Sequence, residues 1–344
     1  MKRRCAPPIV SAAGIALAAA LCASAASAHL AAGARATELV VYVAPRTGSA
    51  GARLELVDRS GHALRVLSTA HYGTWGRWSP DDASIAWEDP AGIHVESADG
   101  SNPRLLVPVN EGCRRCAQLS FIWAPGSRAL VVGSAGAGGN QLQLVPLDGR
   151  APTVLVGSSD LRRVYTPAWW TPDGASLVYG ESRSVAITGA RMRMLTPATG
   201  KTVTLWRTPT SHGAVAPVIS PDLRYRAYVT ELDQYHQQLR IVDMRTGSSR
   251  AVESVNSTNL VGWSPDSKAL GVVERGNRIL TISPRGQILH RLGSGEQFFW
   301  GRDSHEVFIQ RRSYTQVYAS ENGRPARLLF RLPRREWLVS LDSN

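Results

Sequence analysis

The side chains of this chain with the widest chemical capacity recur at one place in a repeat. Six times a large apolar residue opens a turn of the Pro/Asp kind: Trp78-Ser79-Pro80-Asp81, Trp123-Ala124-Pro125-Gly126, Trp170-Thr171-Pro172-Asp173-Gly174, Ile219-Ser220-Pro221-Asp222, Trp263-Ser264-Pro265-Asp266 and the degenerate Trp300-Gly301-Arg302-Asp303. Seven residues before each anchor stand His71, Cys116, Arg163, His212, Asn256 and Gly293. Equivalent positions of a closed repeat converge on one mouth of its central channel. Tyr72, Trp75, Arg162 and Tyr165 lie beside them and add aromatic and cationic surface. Imidazole, guanidinium and amide groups among aromatic rings suit a sugar, an acidic peptide or a carboxylate. The ligand-binding candidates are therefore His71, Tyr72, Trp75, Arg162, Arg163, Tyr165, His212 and Asn256, with no catalytic residue and no metal ligand assigned. The plainer alternative is a set of loop residues that only hydrate the channel.

Other motifs carry less. Cys113-Arg114-Arg115-Cys116 is a C-x-x-C pair, and in an oxidising compartment a small local disulfide is its simplest use. Neighbouring arginines would lower the thiol pKa, but no thioredoxin-like context or second pair supports a redox or metal role. Gly133-Ser134-Ala135-Gly136-Ala137-Gly138-Gly139 is glycine-rich but opens no helix and lacks a following Lys-Ser/Thr, so it reads as a hairpin loop and not a phosphate cradle. Asn256-Ser257-Thr258 matches a glycosylation sequon, a chance match in a chain whose leader looks bacterial. No G-x-S-x-G elbow and no carboxylate pair at a recognisable spacing occurs.

The elements that must position these residues are short strands. Successive anchors lie 45, 47, 49, 44 and 37 residues apart, the period of a four-stranded propeller blade. Nine residues after each anchor comes Trp87, Val132, Tyr179, Tyr228, Val272 or Ile309, and the position two before it is apolar in five of six, Arg226 being the exception. That alternation is a half-buried strand whose large residues fill the gap between blades. A later hairpin closes on Gly61, Gly100, Gly149, Gly200, Gly247, Gly286 and Gly323. Seven late turns against six early ones leave the first unit, from Glu38 to about Leu67, without its innermost strand. The segment Trp337-Leu338-Val339-Ser340-Leu341, lying 37 residues after Trp300 where a seventh anchor would fall, is expected to supply it. The expected fold is all-β, a seven-bladed β-propeller of four-stranded antiparallel blades with three-plus-one closure, with six blades as the alternative.

On these W-S-P-D-G anchors the chain resembles the TolB-type propellers over nearly all of residues 38–344. The resemblance specifies architecture but not activity, and implies a role in a Tol-like envelope system. TolB also carries an N-terminal α/β domain for which this chain has no room. Similar propellers precede the catalytic domain of prolyl-oligopeptidase-type peptidases, but no hydrolase domain is expected after the closing strand here. Seven-bladed oligogalacturonate lyases have similar repeats and hold a metal in the channel with histidines and a glutamine. His71 and His212 would begin such a site, but they lie three blades apart, beyond the roughly 2.1 Å bonds of one ion.

Lys2, Arg3 and Arg4, an apolar run from Ile9 to Leu21 and Ala26-Ser27-Ala28 read as a signal peptide over residues 1–28. A short linker over 29–37 would then precede the propeller domain over 38–344. An uncleaved anchor is the rival, but the run is mostly alanine and nothing later is long enough to span. Removing the leader lowers the formal charge from +12 to +9, nearly all of it arginine. A solvated basic surface in a GC-rich proteome explains this, and so does an anionic partner; export disfavours nucleic acid. Arg311, Arg312, Arg331, Arg334 and Arg335 would form a basic face. The expectation is an exported monomer, periplasmic or extracellular and without a cofactor, that binds an envelope protein or an anionic glycan. The alternative is a lyase or hydrolase acting on an acidic polysaccharide.

Overall fold

The computed structural model describes residues 38–45, 52–69, 75–109, 120–134, 140–160, 163–183, 190–207, 217–231, 237–252, 255, 257–311, 316–321, 323–332 and 336–343. The leader (1–28) and linker (29–37) lie outside these residues. In chain order the strands are β1 (Glu38–Pro45), β2 (Arg53–Asp58) and β3 (Ala63–Ser68); β4 (Trp75–Trp78), β5 (Ser84–Asp89), β6 (Gly92–Ser97) and β7 (Arg104–Pro108); β8 (Ser120–Trp123), β9 (Ala129–Ser134), β10 (Asn140–Pro146) and β11 (Thr153–Ser158); β12 (Arg163–Trp170), β13 (Leu177–Arg183), β14 (Arg191–Thr196) and β15 (Lys201–Arg207); β16 (Val218–Ile219), β17 (Tyr225–Glu231), β18 (Gln237–Asp243) and β19 (Ser249–Val252); β20 (Ser257–Trp263), β21 (Leu270–Glu274), β22 (Arg278–Ile282) and β23 (Ile288–Ser294); β24 (Gln297–Trp300), β25 (Glu306–Arg311), β26 (Gln316–Glu321) and β27 (Arg327–Arg331); and β28 (Glu336–Ser343). They form seven four-stranded antiparallel sheets, the blades of a propeller, and no helix occurs among the described residues. Blade 1 is β28-β1-β2-β3 and blades 2 to 7 follow in sequence order, so the expected seven blades and three-plus-one closure are both present.

The hydroxyl and the carboxylate of the anchor turn each have a bonded role. In blade 5 the Ser220 hydroxyl donates to Asp222 Oδ1 at 2.6 Å and accepts the Tyr225 N–H at 2.8 Å, while Asp222 Oδ1 accepts the Arg224 N–H at 3.0 Å. The same network recurs at Ser79/Asp81, Thr171/Asp173 and Ser264/Asp266. Hydroxyl and carboxylate two residues apart thus satisfy the backbone donors that the tight turn strands. The residue after the Asp position takes the left-handed conformation in all six turns, with φ from 56° to 68° at Asp82, Ser127, Gly174, Leu223, Ser267 and Ser304. Only one of these is glycine, so five turns hold a strained residue that the surrounding bonds maintain.

The later hairpins use glycine where the earlier turns do not: all seven glycines at this position have φ between 67° and 86°. Acidic side chains cap several of them. The Ser60 hydroxyl and the His62 N–H hold Asp58 down at about 2, and hydrogen bonds from Ser101, Arg150 and Arg245 lower Asp99, Asp148 and Asp243 respectively. A carboxyl depressed in the folded state contributes stability that is complete above the ordinary range near 4 and is lost as pH falls through its folded value. Thermal stability is therefore expected to hold from pH 7 to 5 and to decline below about pH 4 as these turns protonate. Scanning calorimetry of an Asp58→Asn/Asp99→Asn variant should give a shallower acid limb; a limb as steep as the wild type's would refute the assignment.

The core lies between blades, not within them. Leu39, Val41 and Val43 pack on Phe308, Val317 and Phe330 of blade 7, whereas Val40 points the other way to Trp78, Ile85 and Trp87 of blade 2. The residues seven and nine after each anchor face the preceding blade, as Leu270 and Val272 do against Leu239 and Ile241. Indole N–H groups of the anchors add a second tie. Trp123 Nε1 donates to Arg77 O at 3.1 Å, Trp263 Nε1 to Val218 O at 3.1 Å and Trp300 Nε1 to Gly262 O at 3.0 Å, each acceptor being the residue before the preceding blade's anchor. A third tie joins the turns, with the N–H of Asp81, Asp222 and Asp266 donating to Ser127, Ser267 and Ser304 Oγ of the next blade.

The closing strand corrects the sequence expectation in one respect. Anchors pair with the residue seven further on, as Trp78 does with Ile85 and Trp300 with Val307. In blade 1 the residue equivalent to Ile85 is Leu39, which pairs with Ser343, while Trp337 pairs with Ala44 at the other end of the strand. The seventh anchor position is therefore Ser343. Arg302 of blade 7 reaches across to Asp82 and to Ser79 O of blade 2. Asp342 accepts the Trp78 N–H at 2.9 Å. The Asp342 residue is half-buried overall, but desolvation of its carboxyl raises its pKa against the pull of Arg77 and Arg302.

Candidate functional site

Each innermost strand enters from one side of the ring, here called the connection face, and leaves through its anchor turn on the other. The proposed mouth lies on the connection face. Of its candidates Trp75, Arg163 and Tyr165 are described, while His71, Tyr72, Arg162, His212 and Asn256 lie outside the described residues, as do Cys113, Cys116 and Ala135 to Gly139.

Trp75 opens β4 as a half-buried ring. Its Nε1 donates to Glu88 Oε2 at 2.8 Å on the paired strand β5, its ring lies 5.1 Å from that of Phe121 in blade 3, and the Arg77 guanidinium sits 4.9 Å over it. Arg163 opens β12 and donates from Nη1 to Glu181 Oε1 at 2.6 Å, with Asp160 at 3.6 Å from its Nε. Arg193 Nη1 takes the other Glu181 oxygen at 2.8 Å. Glu181 is only 6% exposed, and two guanidinium partners offset the cost of burying it. The hydrogen bond that Arg193 donates to Glu181 raises the Arg193 pKa above its ordinary value.

Tyr165 has a different place from the one expected. It is 5% exposed and packs edge-on to Tyr179 at 6.1 Å between blades 3 and 4. It belongs to the core, and a bulge between Pro167 and Trp169 accompanies its strand's turn into the blade.

The sequence reading missed the acidic partners of this face. Glu88 and Glu181 near the ends of their strands, with Glu55 and Glu336 held by Arg53 at 2.9 Å each, form a belt of carboxylates tied to arginine or indole. Their signal was a carboxylate ten or eleven residues after the anchor in blades 2, 4 and 6, at Glu88, Glu181 and Glu274. Arg278 Nε lies 3.1 Å from the third of these. Of the basic face, Arg331 is exposed and Arg311 half-buried, whereas Arg312, Arg334 and Arg335 lie outside the described residues. No group of three His, Cys, Asp or Glu side chains converges to hold a metal among the described residues, and no helix there is long and apolar enough to cross a membrane.

Comparison with protein-family models and with curated proteins gave no match. Solved structures do match. A prolyl endopeptidase is 13% identical with a TM-score of 0.58, covering 88% of this chain and 50% of that one. An oligogalacturonate lyase from Vibrio parahaemolyticus is 12% identical with a TM-score of 0.56, covering 87% of each chain. TolB from Acinetobacter baumannii is 13% identical with a TM-score of 0.49, covering 89% of this chain and 82% of that one. The chain thus has the propeller fold that its repeats resemble, and at these identities the likeness concerns the fold alone.

Proposed function

We propose that the chain is an exported, non-catalytic propeller that binds an envelope protein or an anionic glycan through its connection face. The observation that supports this reading is the fate of the carboxylates there. Glu55, Glu88, Glu181 and Glu336 are each bonded to an arginine or an indole, so that Arg53, Arg163, Arg193 and the Trp75 ring are held in fixed orientations at this face. General acid–base work needs a carboxyl or imidazole within reach of substrate and free to exchange a proton. Recognition of an acidic partner needs arginine and rings already held in place.

A photoreactive amino acid at position 212 is expected to give a discrete crosslinked product in cells, and one at Val154, exposed on an outermost strand, none. The alternative, a lyase or hydrolase acting on an acidic polysaccharide, predicts turnover by the purified protein. No mouth-specific product together with cleavage of a uronate polymer would replace the binding reading with the enzymatic one.

A further inference from the structure

A cleft of about 370 Å³ opens on the connection face between blades 6 and 7, away from the channel axis. It is lined by Gly276, Asn277, Ser294, Gly295, Glu296, Arg311 and Tyr318. The first two come from the β21–β22 hairpin, the next three from the connection into β24, and the last two from β25 and β26. A volume at the lower end of the ligand-pocket range fits a small molecule.

Arg311 is the unusual group in it. Its guanidinium lies 4.5 Å over the Tyr318 ring and Nη2 donates to Leu292 O at 2.7 Å, so it is fixed in place. It makes no ion pair among the described residues, although it is half-buried. Nε is sealed from solvent without a partner; Nη1 carries no hydrogen bond either and is not sealed. A partly desolvated, immobilised cation bonded to no carboxylate among the described residues favours an incoming anion. Exposed Arg275 and Arg278 flank the same hairpin and Arg331 stands across β26 from Arg311's strand, adding positive field at the rim.

The rest of the wall selects among anions. Glu296 in the wall opposes a bare anion or an acidic peptide. The Asn277 amide and the Ser294 hydroxyl both donate and accept. Gly295 can carry no side chain, since a Cβ there would meet Ile309 Cγ2 at 2.6 Å and Ile279 Cδ1 at 2.8 Å, so its backbone stays bare at the cleft. A molecule with one carboxylate and several hydroxyls suits Arg311, Asn277 and Ser294 together.

We infer that the cleft between blades 6 and 7 binds a small acidic saccharide, its carboxylate on Arg311 and its hydroxyls on Asn277 and Ser294. The site stands whether or not the channel mouth takes a partner.

Isothermal titration of the whole protein with D-glucuronate, D-glucose and inorganic phosphate tests it. Glucuronate is expected to bind saturably, about tenfold or more tightly than either other probe, and to weaken with added salt. Arg311→Gln should lower that affinity about tenfold or more and Arg311→Lys less, because a point charge replaces the fork. Trp75→Ala at the mouth should leave it unchanged, which separates failure here from failure of the mouth. Should Arg311→Gln not fold, Asn277→Ala and Ser294→Ala at the cleft edge, each several-fold weaker, carry the test. Equal binding of glucose, equal binding of phosphate, no binding of glucuronate, or binding indifferent to all these variants would each overturn the assignment.

Discussion

A chain lacking residues 336–344 is expected to lose the cooperative native fold. β28 is the innermost strand of blade 1 and pairs with β1 from Leu39 to Pro45. Without it, β1 becomes an unprotected edge, and Leu39, Val41 and Val43, each at most 1% exposed, lose the Leu341 side of their cluster. Arg53 loses Glu336, and the Trp78 N–H loses Asp342. Each buried backbone group left unpaired costs about 1–3 kcal/mol. Several together match the whole stability of about 5–15 kcal/mol that a domain has. Cooperativity makes the loss global, because blade 1 is the sheet that packs between blades 7 and 2 and closes the ring. The expected results are poor soluble yield, or an unfolding midpoint lower by more than about 10 °C. A synthetic peptide covering 333–344, added in trans, should restore the midpoint by pairing with β1. A truncated chain that unfolds at the full-length temperature would show that the ring is not closed by this strand.

Much of this fold was legible because the same physical demands recur in every blade. A hydroxyl, a proline and a carboxylate after a large apolar residue are what a turn with stranded donors requires, so the motif marks the turn wherever it occurs. Blade 1 was recognisable by its missing turn for the same reason. The register of β28 was not, since its anchor position holds a serine where six other blades hold a large apolar residue. Choosing Trp337 by residue type overrode the period, although Ser343 lies 43 residues after Trp300 and Trp337 only 37. Residue type also misplaced Tyr165, whose hydroxyl suggested a mouth but whose ring fills a gap between blades. Arg311 read as one of a surface pair because its hold depends on hairpin register: Arg311 pairs with Gln316, which brings Tyr318 beneath the guanidinium. Such cross-strand partners are seven residues apart by accident of loop length, and no sequence period announces them. The mouth histidines fall outside the described residues, so for them the sequence reading stands as an expectation.

The anchors offer the second large effect. Trp263 is buried between blades 5 and 6, stacked on Tyr225 at 5.7 Å, and its Nε1 donates to Val218 O. Trp263→Ala should therefore cost about 3–5 kcal/mol from lost burial and the cavity left behind. The more informative variant is Trp263→Phe, which keeps most of the ring and strands the Val218 carbonyl, at about 1–3 kcal/mol. Trp78 is the natural control. It occupies the same place in blade 2, but its Nε1 is buried without a partner. Replacing it by phenylalanine removes an unsatisfied donor, so Trp78→Phe should cost clearly less than Trp263→Phe at similar burial. Denaturant unfolding of the two variants measures the difference, which isolates the indole-to-carbonyl tie from ring packing. Equal losses would mean that the ties at Trp123, Trp263 and Trp300 contribute nothing beyond burial, and that the ring is held by its apolar interfaces alone.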